Sequence, residues 1–173
     1  MNLRIEDRIG EFFVRKKSDL FNYEAQKESD LLISLKFAEE LELDTDNSSE
    51  NDLFGWGSLK SDFKPKTDEN TIIEVKYVRV TKNSKDGNCY NEYDVKNGLS
   101  QILEQALCKR VQNAIFVVID AGRAKSRDWN EIEGMFISMF KQNPFNIRLS
   151  IVRIKFDIDL SDINLSTVTY KVI

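Results

Sequence analysis

Three residues in the middle of the chain have the types and spacing for hydrolytic chemistry: Asp62, Glu74 and Lys76. Glu74 and Lys76 lie in TIIEVKYVRV, a run otherwise built from the strand formers Ile72, Ile73, Val75, Tyr77, Val78 and Val80. Strand residues i and i+2 share a face, so a carboxylate and an ammonium stand about 7 Å apart on one side of an apolar strand. That spacing is too wide for a close bond between them. Buried charges are costly unless they are paired or bound to a metal. One Glu-x-Lys is expected by chance in a chain this rich in both residues, and Asp-x-Lys recurs at Asp62 and Asp94. Glu74-Val75-Lys76 differs from those in sitting within an apolar strand. A structural ion pair and a solvated edge-strand face are the plain alternatives.

The chemistry needs a second carboxylate. Asp62, in SDFKP, precedes the strand and is separated from it by the turn-forming KPKTDEN. In a hairpin, Asp62 at the end of one strand faces Glu74 on the next. Two carboxylates converging with a backbone carbonyl, that of Val75, make an oxygen site for Mg²⁺ or Mn²⁺. Such an ion activates water and neutralises charge on a scissile phosphate. Lys76 beside it orients or deprotonates that water, or stabilises the developing charge. Asp52 and Asp68 are alternative carboxylates, and an exposed turn aspartate is the plain reading of Asp62 itself.

Composition narrows the choice. The chain has 173 residues and no histidine, which removes Ser-His-Asp and Cys-His catalysis and most zinc sites. The two cysteines, Cys89 and Cys108, form no CxxC and no disulfide framework, so a cytoplasmic location is expected. No apolar run is long enough to span a membrane, and the charged N-terminus does not resemble a secretory signal. Net charge is −4, but it is unevenly spread. Residues 1–59 carry twice as many acidic as basic side chains, while residues 60–127 carry a basic excess that could steer a polyanion.

The elements that must position these residues follow from periodicity. Ile5, Ile9, Phe12 and Phe13 recur at helical spacing and predict a helix over residues 3–17. A second helix is expected from Glu24 to Glu42 on the stripe Leu31, Leu32, Leu35, Ala38 and Leu41. DTDNSSEND (44–52) reads as a polar loop, and FGWGSLKSDF as short strands bent at Gly55 and Gly57. TKNSKDGNCYNEYD (81–94) reads as a long polar loop. GLSQILEQALCKRVQ carries Leu99, Ile102, Leu103, Ala106, Leu107 and Val111 in an i, i+3, i+4 pattern. NAIFVVIDAG reads as a buried parallel strand. DWNEIEGMFISMFKQ predicts a helix N-capped by Asp128, and IRLSIVRIKFDI and STVTYKVI predict closing strands. Strand–helix–strand over residues 72–119 implies a parallel pair, so the fold class is α/β with a mixed central sheet flanked by helices.

Asp62, followed twelve positions on by Glu74-x-Lys76 within IIEVKY, resembles the active-site pattern of the PD-(D/E)xK nucleases, the restriction-endonuclease-like fold. Residues 24–119 can be laid on that family's core of helix, three strands, helix and strand. The resemblance implies one nuclease-like domain over 1–173, with 1–23 a helical extension and 128–173 a helix–strand elaboration. It makes Asp62 and Glu74 metal ligands and Lys76 the catalytic lysine. It also suggests a glutamine on the following helix, Gln101 or, one turn on, Gln105, both opposite the apolar stripe. Glu28 corresponds to a glutamate of the first core helix. The match departs from the pattern where Ser61 precedes Asp62 and the proline, Pro65, follows it.

The activity implied is Mg²⁺-dependent phosphodiester hydrolysis on nucleic acid, as a DNA endonuclease of restriction or phage-defence type, with no membrane partner and with a homodimer or partner protein allowed. Alternatives are a non-catalytic DNA- or protein-binding module of the same fold, and a nuclease subunit active only with a partner. Arg123, Lys125 and Arg127, just after an apolar strand, could grip phosphates, with a solvated basic loop the plain reading. Trp56 could stack a base, with core packing the plain reading.

Overall fold

The computed structural model describes residues 3–22, 28–45, 50–51, 58–59, 62–78, 92–120, 134, 146–157 and 162–171. The first helix, α1 (Ile5–Arg15), forms where expected, because Ile9, Phe12 and Phe13 fall on one stripe and are fully buried. Acidic Glu6 and Asp7 in its first turn and Arg15 in its last complement the helix dipole. Short α2 (Lys17–Asn22) follows.

The single helix expected over 24–42 is instead two, α3 (Glu28–Ser34) and α4 (Phe37–Glu40). The break is at Lys36, whose φ of 56° is left-handed. The Lys36 N–H bonds the Ile33 carbonyl at 3.0 Å, closing α3 with a tight turn. Packing explains the break: it seats Phe37, which is fully buried, edge-on to Phe12 and Phe63 with centroids 5.3 and 5.5 Å away.

The sheet contains β1 (Leu43–Thr45), β4 (Phe63–Pro65), β5 (Thr71–Val78), β6 (Asn113–Asp120), β7 (Arg148–Asp157) and β8 (Asp162–Lys171), in the spatial order β1-β4-β5-β6-β7-β8. A separate two-stranded ribbon pairs β2 (Glu50–Asn51) with β3 (Ser58–Leu59). Strands β1 and β2 thus occupy part of the stretch read as loop; three or two residues are too few to show alternation. Strands β5, β6 and β7 run parallel, and β1–β4, β4–β5 and β7–β8 are antiparallel. Helix α5 (Glu92–Cys108) connects β5 to β6 and lies against both, as a parallel crossover requires. The molecule is therefore α/β, with a mixed sheet flanked by helices.

Two apolar clusters sandwich the sheet. One joins α1–α4 to Phe63, Ile73, Val75, Ile115, Val117, Val152 and Ile154. The other joins α5 to Ile72, Ala114, Phe116, Val118, Leu149 and Ile151. The helical start of the chain thus supplies the core rather than hanging from it. The helix predicted from Asp128 lies outside the described residues, apart from Gly134, which is helical. No helix among the described residues is long and apolar enough to cross a membrane.

A candidate metal centre at the open edge of β5

Strand β4 is short, and its recorded pairing with β5 is a single position, Phe63 opposite Ile73. Past that point the β4-side edge of β5 has no strand beside it among the described residues, and its amides need other acceptors. They find carboxylates. The Val75 N–H donates to Asp62 Oδ2 at 2.7 Å, and the Tyr77 N–H donates to Glu28 Oε2 at 2.6 Å. Asp62 reaches the edge because it immediately precedes β4. Glu28 reaches it from the first turn of α3. A strand residue's N–H and C=O leave on the same edge, so the Val75 carbonyl, expected as an ion ligand, is turned to Asp62's side.

Glu74 immediately precedes Val75 on β5 and is 3% exposed. Lys76 Nζ donates to Glu74 Oε1 at 2.8 Å. This corrects the expectation that i, i+2 spacing forbids a close bond: the backbone distance holds, but the long lysine stem folds back along the strand. Glu74 Oε2 is buried and has no hydrogen-bond partner among the described residues.

The charges act on one another. Burial first, then Asp62, push the Glu74 carboxyl up to about 7, with Glu28 adding to the rise and Lys76 opposing it. Burial also raises Asp62, against the Val75 amide bond and Lys76. Burial pulls Lys76 down, but Glu74, Glu28 and Asp62 outweigh it, so the ammonium is held above the ordinary lysine value. The surrounding carboxylates therefore favour the protonated ammonium of Lys76.

The structure thus brings together Asp62, Glu74, Lys76 and Glu28. It does not bring in Gln101, which is exposed and linked by no hydrogen bond to these four. Gln105, read as lying opposite the apolar stripe, is instead 2% exposed and packed inward. Asp68 is occupied in the turn before β5, accepting from the Asn70 N–H at 2.9 Å and the Thr71 hydroxyl at 2.6 Å. Asp52, Trp56, Arg123, Lys125 and Arg127 lie outside the described residues.

One contributor was missed. A Cβ at Gly98 of α5 would stand 2.9 Å from Cγ and Cε of Lys76 and 2.9 Å from Cε2 of Phe116. The helix backbone therefore packs directly on the lysine stem and steers it toward Glu74. The periodicity alone put Gly98 at the start of the helical stretch; it is the helix beginning at Glu92 that makes it an internal glycine, where alanine would favour the helix and glycine marks close approach. Compared with known proteins, the chain matches no family model, no curated protein and no solved structure.

Proposed function

We propose that the chain is a metal-dependent phosphodiesterase acting on nucleic acid, a DNA endonuclease of restriction or phage-defence type built on a restriction-endonuclease-like core. The observation that carries this reading is Glu74 Oε2: a carboxylate oxygen buried without a partner among the described residues, beside the half-buried carboxylate of Asp62. Leaving such an atom unsatisfied is unfavourable, and an unseen ion is a standard explanation for one. The donor set suits a hard cation, since every available atom is oxygen. Among the described residues no three Asp, Glu or Cys side chains group closely enough to hold an ion. Mg²⁺ or Mn²⁺ would therefore be held by Asp62, Glu74 and the Val75 carbonyl, with water completing the shell.

Bound there, the ion would supply Lewis acidity and make water a better nucleophile. The chain's own groups do the rest. Asp62, anchored on the Val75 amide, fixes one side of the site. Lys76 stays protonated, so it orients water and neutralises charge growing on a phosphate instead of removing a proton. Glu28, anchored on the Tyr77 amide, adds negative potential that keeps Lys76 charged.

The test is plasmid or oligonucleotide cleavage with Mg²⁺ or Mn²⁺, alongside Glu74→Ala and Lys76→Ala. Each variant should lose on the order of a hundredfold or more in rate. Equal cleavage by both variants and the unaltered chain would sink the site. A second reading, a non-catalytic DNA- or protein-binding module, draws on the edge-capping bonds of Asp62 and Glu28, which serve the fold without any ion. Calorimetry selects it if neither Mg²⁺ nor Mn²⁺ binds.

A further inference from the structure

Asp62 and Glu28 also line a cleft of about 460 Å³ whose walls include Leu32, Phe37 and Phe63. That volume lies within the range of small-molecule sites, roughly 300 to 1,000 Å³. Two further lining residues are unusual. Ile33 is a large apolar side chain left 75% exposed. Lys36 holds the left-handed backbone that breaks α3 from α4, and non-glycine residues in that region cluster at ligand clamps.

The charge of the cleft selects its occupant. Among the described residues, Glu28, Glu39 and Asp62 face it against the single basic residue Lys36. A phosphate is repelled from such a lining. A neutral, flat group that offers N–H donors to carboxylates and an apolar face to Ile33 and the edge of Leu32 is welcomed. We propose that this cleft takes an unpaired nucleobase, the one belonging to the nucleotide beside the phosphodiester held at Asp62 and Glu74. The phosphate's place rests on the function proposed above; the base's place rests on the cleft. The substrate is then single-stranded or locally opened nucleic acid, because a base paired in regular duplex cannot enter a pocket. Adenine, cytosine and guanine present amino donors, and a carboxylate accepts readily from cytosine N4. Thymine and uracil turn carbonyls toward the same acceptors and are disfavoured.

The experiment has a binding arm and a cleavage arm. In the first, cytidine, adenosine, guanosine, thymidine and uridine are titrated without metal into the full chain, followed by NMR. The amino-bearing nucleosides should bind at least fivefold more tightly than thymidine and uridine. Leu32→Trp should abolish binding by filling the cleft. Because that change can disturb folding, the exposed changes Ile33→Asp and Glu39→Gln serve as well: the first should weaken all nucleosides, the second should erode the preference for amino-bearing bases. Equal binding of thymidine and cytidine, or no effect of either exposed change, overturns the proposal. In the second arm, a single-stranded oligonucleotide should be cut at least tenfold faster than its fully paired duplex. Equal rates overturn the slot and leave the phosphodiesterase intact. Nucleoside binding without cleavage of any substrate overturns the placement beside a scissile bond, and with it the phosphodiesterase reading.

Discussion

Two glutamates are buried to the same degree and live in opposite circumstances. Glu6, on α1, is 2% exposed; Glu74, on β5, is 3% exposed. Glu6 Oε1 accepts from the Ser150 hydroxyl and from Arg148 Nη2, both at 2.8 Å, and so ties the first helix to β7 across the whole length of the chain. Glu74 has one lysine, two repelling carboxylates nearby and an oxygen with no partner among the described residues. The first arrangement is what a buried charge looks like when it serves the fold. The second is unfavourable to the fold and suits a ligand, a conflict that proteins tolerate mainly at functional sites.

The sharpest way to break the contrast is Glu6→Ala. Removing the acceptor leaves Arg148 half-buried and Ser150 buried without it, and should cost about 3 kcal/mol in urea unfolding. Glu6→Gln, which still accepts from Ser150, should cost less. If Glu6→Ala is neutral, the two sites are not different in kind.

Glu74→Gln should do the reverse and stabilise the metal-free chain. The folded carboxyl titrates near 7 against an ordinary value of 4.5, so between those pH values the folded chain binds more protons than the unfolded one. The stability that comes with protonated Glu74 is present below pH 4.5 and lost as pH rises through about 7. Glutamine imitates the protonated form. Its advantage should reach about 2 kcal/mol at pH 8, vanish below pH 4.5, and be accompanied by loss of metal-dependent cleavage. A variant no more stable at pH 8 than at pH 4.5 would show that Glu74 is not frustrated.

Gly98→Ala should have a smaller effect. Crowding against Lys76 and Phe116 costs about 1 to 3 kcal/mol, and the better helix former returns up to about 1. Cleavage should fall about tenfold, through kcat more than KM, if the glycine steers the lysine. The smallest expected effect is Arg4→Ala. Arg4 and Asp7 form an exposed ion pair at 3.1 Å, and its removal should leave the urea midpoint unchanged.

Much of this was legible in the sequence. Strands β5 and β6 and helix α5 from Gly98 on could be read because long apolar periodicity leaves few alternatives, and the turn between SDFKP and the strand brought Asp62 to Glu74 as a hairpin should; the start of α5 at Glu92 falls instead in the polar stretch read as a loop. What was not legible has physical reasons. The break at Lys36 carries no glycine or proline; it is imposed by the fit of Phe37 among other aromatic rings, which only the folded packing reveals. Gln105 is polar on a helix and reads as solvated, yet it is drawn inward with its neighbours Ile102 and Ala106. The reach of Lys76 to Glu74 depends on a flexible stem that α5 presses from above, a contact between segments twenty-two positions apart.

The carboxylates on the edge of β5 have one more effect. Bare strand edges are templates on which a strand from another molecule can add, the first step toward aggregation. Here the Val75 and Tyr77 amides are already taken, and taken by groups whose negative charge would face the carbonyls of any incoming backbone. The residues that make the site unfavourable for its own chain therefore also guard it, so that a small mobile ligand can approach where a foreign strand cannot.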